Sequence, residues 1–256
     1  MKSHQQKAHD LAALHIKGEP VILFNIWDAG SAKVVADAGA KAIATGSHSV
    51  AAANGFEDGE SLPLDFALAN ITRIVSAVDV PVTLDFEGGY ARDSDGLRRN
   101  IQRVVETGAA GINFEDQIVG GDGIYCVEEQ SHRIAAIRDV ANDNDVPLFI
   151  NARTDIFLKT YPAIHTCGQL EEVVERAKAY AKAGASGLFA PGLRDPEMIR
   201  ELCERSPLPV NIMVLPDAPS NVELAKLGVA RISYGPGPYR EMIASLKSAA
   251  GEVYGS

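Results

Sequence analysis

Four apolar runs in this chain open with a proline: Pro20-Val-Ile-Leu23, Pro81-Val-Thr-Leu84, Pro147-Leu-Phe-Ile150 and Pro209-Val-Asn-Ile212. They recur at intervals of roughly sixty residues, a spacing that points to a repeated unit. Proline is tolerated at the first position of a strand, so each run reads as a strand start. Between them lie four segments of a second kind, in which a glycine beside a small residue precedes another apolar run. Gly39-Ala40 leads to Ala42–Thr45, Gly108-Ala109 to Gly111–Phe114, Gly184-Ala185 to Gly187–Ala190, and Gly228-Val229 to Arg231–Tyr234. Glycine suits the left-handed residue that ends a helix. Helical stripes fill the intervals, among them Leu64/Leu68/Ile71/Val75, Leu97/Ile101/Val104, Ile134/Ile137/Val140 and Leu170/Val173/Ala177. Eight alternations of strand and helix require parallel strands with helical crossovers. The 256 residues suit an α/β chain closed as a (β/α)₈ TIM barrel, which takes roughly 250. The expectation is a single barrel domain over residues 1–256, preceded by a short amphipathic helix over 5–17. No Gly-x-Gly-x-x-Gly follows the first strand, which argues against a dinucleotide-binding sheet.

Charge and cysteine content narrow the partners. A net charge of -10 is unsuited to nucleic acid or an anionic membrane surface. No apolar run is long enough to span a bilayer, and residues 1–10 lack the apolar core of a signal peptide. Cys126, Cys167 and Cys203 form no metal motif and no disulfide framework. A cytoplasmic protein with reduced thiols, acting on a small molecule, is expected.

In a barrel of this kind the site lies at the C-terminal ends of the strands. The third strand ends in Asp85-Phe-Glu87-Gly-Gly-Tyr90. Alternation places Asp85 and Glu87 on one face. Such a pair either caps the helix that begins near Ser94 or holds a divalent cation. Oxygen-only ligands favour Mg²⁺, with Mn²⁺ as the alternative. The other strand ends supply Trp27-Asp28, Thr45–Ser49 with a loop running to Asp58, Glu115, Arg153 and Asn211. Taken singly, Arg153 could pair with Asp155, and His48 could be a satisfied loop histidine. Taken together, Asp85, Glu87, Glu115 and Arg153 read as a metal site facing an anionic substrate.

These residues carry a resemblance. Ala29–Ala32, Gly46–Asp58, Asp85–Tyr90, Gly111–Asp116 and Asn151–Asp155 follow in the order found in the isocitrate lyase/phosphoenolpyruvate mutase superfamily, which this chain resembles. The resemblance implies a (β/α)₈ barrel, a homodimer or homotetramer with the last barrel helix exchanged between subunits, Mg²⁺ and a 2-oxo acid substrate. It implies Asp85 as the main metal ligand, with Glu87 and Glu115 holding the metal or its waters. It implies catalytic roles for Asp58 on a loop over the substrate and for Arg153, which stabilises an oxyanion or carboxylate. Gly46, Ser47 and His48 would bind the oxo acid, with Trp27 and Asn211 as walls. The lyases carry Lys-Lys/Arg-Cys-Gly-His after the fourth strand; here Gln117–Cys126 contains no lysine, arginine or histidine. Cys126 is therefore read as a packed thiol. The expected reaction is Mg²⁺-dependent cleavage of a C–C or P–C bond through a pyruvate enolate, on an oxaloacetate- or phosphonopyruvate-like acid. The alternatives are a family member that binds Mg²⁺ and a 2-oxo acid without turnover, and an isocitrate-type lyase with another base such as His48.

Overall fold

The computed structural model describes residues 2–160 and 164–255. The elements run α1 (His4–Ala13), β1 (Val21–Leu23), α2 (Ala29–Asp37), β2 (Ile43–Ala44), α3 (Ser47–Ala53), α4 (Leu64–Ala77), β3 (Val82–Asp85), α5 (Ser94–Glu106) and β4 (Gly111–Glu115). They continue as α6 (Val127–Asp143), β5 (Phe149–Arg153), α7 (Cys167–Lys182), β6 (Gly187–Phe189), α8 (Pro196–Arg205), β7 (Val210–Met213), α9 (Asn221–Lys226), β8 (Arg231–Ser233) and α10 (Gly237–Tyr254). All ladders are parallel, in the order β1-β8-β7-β6-β5-β4-β3-β2. The seam between β1 and β2 is closed beyond the strands. Ile26 N–H donates to Ala44 O at 2.9 Å, Gly46 N–H to Ile26 O at 3.2 Å, and the Asn25 amide to Thr45 O at 2.9 Å. The sheet is thus a (β/α)₈ barrel, as the alternating pattern predicts.

Each expected strand forms, but the first is shorter than its apolar run. From Pro20 the apolar run continues through Phe24 and Ile26 to Trp27-Asp28, which predicts a buried strand over residues 20–28. Only Val21–Leu23 form a continuous ladder, Ile26 adding a single bridge to Thr45, and Ile22 and Phe24 are 45% and 40% exposed. Among the described residues no helix covers the outer face of β1 at Ile22 and Phe24. A groove of about 790 Å³ runs there, lined by Ile22 and Phe24 with Val34 and Val35 of α2. The chain's last helix, α10, does not fill it: only Pro238 is buried, while Ile243, Leu246, Val253 and Tyr254 are exposed. The small-residue run Ala32–Ala38 predicts the second helix, which begins three residues earlier, at Ala29. Asp28 accepts from Ser31 N–H at 2.7 Å and Ser31 caps in return, so Asp28 serves helix α2 rather than the site.

The first helix ends at Ala13 rather than 17 and closes the floor of the barrel. Leu11 reaches Gly111, where any Cβ would lie 2.8 Å from it. His15 stacks on Phe149 with centroids 3.9 Å apart, and its Nδ1 bonds Leu11 O at 2.8 Å. Burial, reinforced by the Arg231 charge, pushes the His15 pKa down to about 3. The folded protein therefore binds fewer protons here than the unfolded chain, whose histidine titrates near 6.5. This contribution is complete above that pH and declines as pH falls toward 3. At 1.36 kcal/mol per unit it amounts to at most about 5 kcal/mol. In urea titrations from pH 8 to 4, His15→Leu should be less pH-sensitive than the wild type. Parallel curves for the two proteins would exclude the assignment.

Candidate active site

At the open end of the barrel a cavity of about 260 Å³ is bounded by residues from all sides of the sheet. Its polar side is made by Asn25, Ser47, His48, Asp85, Asn113 and Arg153. Asp85 ends β3 and is held by neighbours on both flanks. Ser47 N–H donates to Oδ2 at 2.9 Å, and the Asn113 amide approaches Oδ1 at a loose 3.5 Å. Its own N–H donates to Thr45 Oγ1 at 2.8 Å. Oδ1 thus keeps lone-pair capacity.

Two residues on, Glu87 turns away from the cavity and beneath the loop carrying Asp58. Gly59 and Glu60 donate their N–H groups to Oε2 at 3.0 and 2.7 Å, and Tyr90 O–H donates to Oε1 at 3.1 Å. Glu60 in turn accepts from Tyr90 N–H at 2.7 Å. These three residues have φ of 57°, 50° and 55°, the left-handed region. Each such residue costs about 1–3 kcal/mol and persists only where its surroundings enforce it. Enforcement comes from Asn100, which donates to Gly89 O and Tyr90 O at 3.0 Å each, and from Arg133, which donates to Gly88 O, Ala91 O and Arg92 O. Burial, and then the Asp85 charge, push the Glu87 pKa up to about 7.

Beside them, Arg153 ends β5. Its Nη1 lies 2.7 Å from Glu115, and its Nε and Nη2 clamp Asp155 at 2.6 and 2.9 Å. Burial of Glu115, opposed by Arg153, leaves its carboxyl well above the usual range. Burial disfavours the guanidinium charge, but Glu115 and Asp155 more than compensate and hold Arg153 firmly charged. The clamp has its own support. Asp155 N–H donates to buried Asp116 at 3.0 Å, and Asp116 accepts from Arg176 and Tyr180 at 3.1 Å each.

The residues expected from sequence divide accordingly. Gly46, Ser47, His48, Asp58, Asp85 and Arg153 line the cavity. Glu87 and Glu115 lie behind it, Glu87 under the Asp58 loop and Glu115 on Arg153. Among the described residues no three Asp, Glu, His or Cys side chains converge as a ready-made metal cage. Trp27 packs edge-on against Tyr239 at 5.1 Å, in a small cluster with Val50 and Leu62, outside the cavity lining. Asn211 is buried and accepts from Ser233 Oγ at 3.1 Å. The Gly46 N–H is spent on barrel closure and the Ser47 N–H on Asp85, so those two amides are not free for a ligand. Cys126, expected to be packed, is exposed at the N-cap of α6, because the preceding loop runs over the surface. His48 and Asp58 lie 4.0 Å apart at the cavity mouth, 40% and 49% exposed. Sequence reasoning passed over Asn25, Asn113 and Ser233. Asn113 alternates with Glu115 and could have been placed inside; Asn25 is one polar residue in an apolar run.

A carboxyl whose folded pKa is raised contributes stability below its unfolded value of 4.5 and loses it as pH rises through about 7. Glu87→Gln removes that loss. In EDTA, the variant's advantage over wild type should grow from pH 5 to pH 8 by at most about 3 kcal/mol. An advantage independent of pH would mean that Glu87 ionises normally.

A family profile described as phosphoenolpyruvate phosphomutase matches residues 11–254. The crystal structure of a Burkholderia cenocepacia J2315 protein provisionally described as a phosphonomutase superposes with a TM-score of 0.95, at 47% identity over 99% of this chain and 100% of that chain. The 2-methylisocitrate lyase of Escherichia coli K12 is 30% identical over 93% of this chain and 80% of its own length. An oxaloacetate decarboxylase of Pseudomonas entomophila L48 is 26% identical over 84% of this chain and 73% of its own length. With the barrel, the order of its motifs and a match over nearly the whole chain, the protein belongs to the phosphoenolpyruvate phosphomutase family, a set of enzymes within the isocitrate lyase/phosphoenolpyruvate mutase superfamily.

Proposed function

We propose that this enzyme is a divalent-cation-dependent lyase that cleaves the bond next to C3 of a 2-oxo acid through an enolate, with oxaloacetate decarboxylation as its simplest reaction. The observation that carries the reading is the charge at the end of β3. Asp85 and Glu87 have no ion-pair partner among the described residues, and Arg153 beside them is already committed to Glu115 and Asp155. The donors present fit Mg²⁺. It takes oxygen ligands, keeps several waters and needs only one or two carboxylates. Asp85, with its under-used Oδ1, would bind it directly; Glu87 and Glu115 would hold its waters. When bound, the cation would polarise the keto group as a Lewis acid.

The chain's own groups do the rest. Arg153 uses only three of its N–H groups on Asp155 and Glu115, of the five a guanidinium offers. The remainder can face the oxygen on which negative charge grows. The Ser47 hydroxyl and the His48 and Ser49 N–H groups in the first turn of α3, which have no intrahelical partner, suit the substrate carboxylate. In oxaloacetate the C3–C4 bond breaks, its electron pair moves into C2–C3, and CO₂ leaves without needing an acid. A proton then adds at C3 to give pyruvate. His48, with Asp58 4.0 Å from its ring, would deliver that proton. This assignment accounts for the absence of a lysine and of a lyase-type cysteine in Gln117–Cys126: CO₂ release needs neither. The relative named oxaloacetate decarboxylase supports the same reading.

The second part of the proposal concerns assembly. The groove over β1 lacks the helix a barrel places there, and α10 carries an exposed apolar face of Ile243 and Leu246. A second copy's α10 in that groove would cover both, giving a homodimer or a larger homo-oligomer with exchanged helices. Light scattering should report an oligomer for the wild type and a smaller species for Ile243→Asp/Leu246→Asp. A monomeric wild type would end this part.

The activity is tested by pyruvate release from oxaloacetate with Mg²⁺ or EDTA. Turnover should vanish in EDTA and in Asp85→Ala. Arg153→Lys should lose about a hundred- to a thousand-fold in kcat, because lysine cannot reproduce the planar fork. Full activity of Asp85→Ala with Mg²⁺ would overturn the reading, as would an Arg153→Lys defect confined to KM.

A further inference from the structure

The cavity has two unlike halves. Asn25 after β1 and the ends of β2 to β5 supply most of its polar groups, and Ser233 on β8 adds a hydroxyl already donated to Asn211. Apart from Ser233 and the exposed Arg240, the side formed at and after the ends of β5 to β8 is apolar: Leu158, Phe189, Pro191, Met213, Leu215 and Pro236. Two glycines fix parts of this wall. At Gly235, with φ of 52°, a Cβ would lie 2.6 Å from the Met213 sulfur, so the thioether occupies the place of a side chain. At Gly192, with φ of 91°, a Cβ would lie 2.8 Å from the Leu158 nitrogen and from the Phe157 carbonyl. Gly192 therefore lets the 157–158 backbone come in close and sets Leu158 at the mouth. Phe189 is 4% exposed, and it is paired in register with Arg153 on one side and Asn211 on the other.

A charged group placed against such a wall loses its hydration without gaining a partner. No side chain of the wall itself carries a charge or a hydrogen-bond donor. The lining residues with charge are Asp58, Asp85 and Arg153 on the polar half, and exposed Arg240 beyond Pro236. A phosphonate or a second carboxylate pointing at β6 and β7 is therefore disfavoured, whereas carbon is favoured. We infer that the substrate is a 2-oxo acid bearing a short alkyl substituent on C3, its oxo-acid end at Asp85 and Arg153 and its alkyl group on the Met213–Leu215–Phe189 wall. This rests on the 2-oxo acid reading above and adds the side-chain class. At about 260 Å³ the cavity lies just below the range of drug-sized sites, which limits the substituent to a few carbons.

The test is calorimetric binding of pyruvate, 2-oxobutyrate and 2-oxopentanoate to the wild type in Mg²⁺, alongside the oxaloacetate assay. These ligands add one methylene at a time at C3. Affinity should rise about three- to fourfold per methylene, the gain for burying a CH₂ group. Met213→Asn should flatten the series and Met213→Leu should restore it. A flat or falling series in the wild type, with oxaloacetate still turned over, overturns the apolar-wall inference and leaves the lyase reading standing. A rising series that Met213→Asn leaves unchanged also overturns it. If none of the three binds and oxaloacetate is not consumed, both fall together.

Discussion

Carboxylates crowd the ends of β3 and β4 with too little positive charge beside them. Asp85 and Glu87 come from one strand end, Glu115 from the next, and Asp155 follows β5. Arg153 is clamped between the last two. The imbalance is visible in the ionisation of Glu87 and Glu115, both pushed up by burial. Burying unpaired charge costs several kcal/mol unless the charge is neutralised or bound by metal. Much of the surrounding structure serves to keep these groups in place regardless. The left-handed residues Glu60, Glu87 and Tyr90 form one hydrogen-bonded unit, staked down by Asn100 and Arg133. Through that unit the Asp58 loop is tied to the end of β3.

The barrel interior continues the theme downward. Arg231 is fully buried on β8, where it donates to Asn113 Oδ1 at 3.0 Å. Asn113 reaches Asp85 on its other side, so a buried cation supports the site from below. Burial pushes the Arg231 pKa down to about 9, with Asp85 acting in the opposite sense. Its charge also suppresses protonation of His15 at the floor. Floor and mouth are therefore electrostatically linked through one side chain. The outer surface of β1 is the converse case, an apolar face that this chain's own helices leave bare.

The barrel was legible because its signals are local. Proline before a strand, glycine after a helix and apolar spacing each depend on a few neighbouring residues. Asp85 and Arg153 were legible as polar groups at the ends of apolar runs, where their cost demands a reason. What the sequence hid depends on contacts across the barrel. Glu87 shares a face with Asp85 in an extended strand, but φ of 50° at Glu87 breaks that alternation and turns it under the Asp58 loop. The Ser47 N–H meets Asp85 only because β2 and β3 are neighbours. Cys126 looks like a core thiol by composition, yet its loop lies on the surface. The apolar wall combines residues after four strands, and in sequence Met213 and Phe189 are indistinguishable from ordinary core.

We propose that the charge at the end of β3 is completed by a divalent cation held through Asp85. Electron paramagnetic resonance of Mn²⁺ titrated into the protein measures this without relying on turnover. One Mn²⁺ bound per chain is expected in the wild type and none in Asp85→Ala, with both proteins folded. Equal binding by the two proteins, or no binding by the wild type, would contradict it.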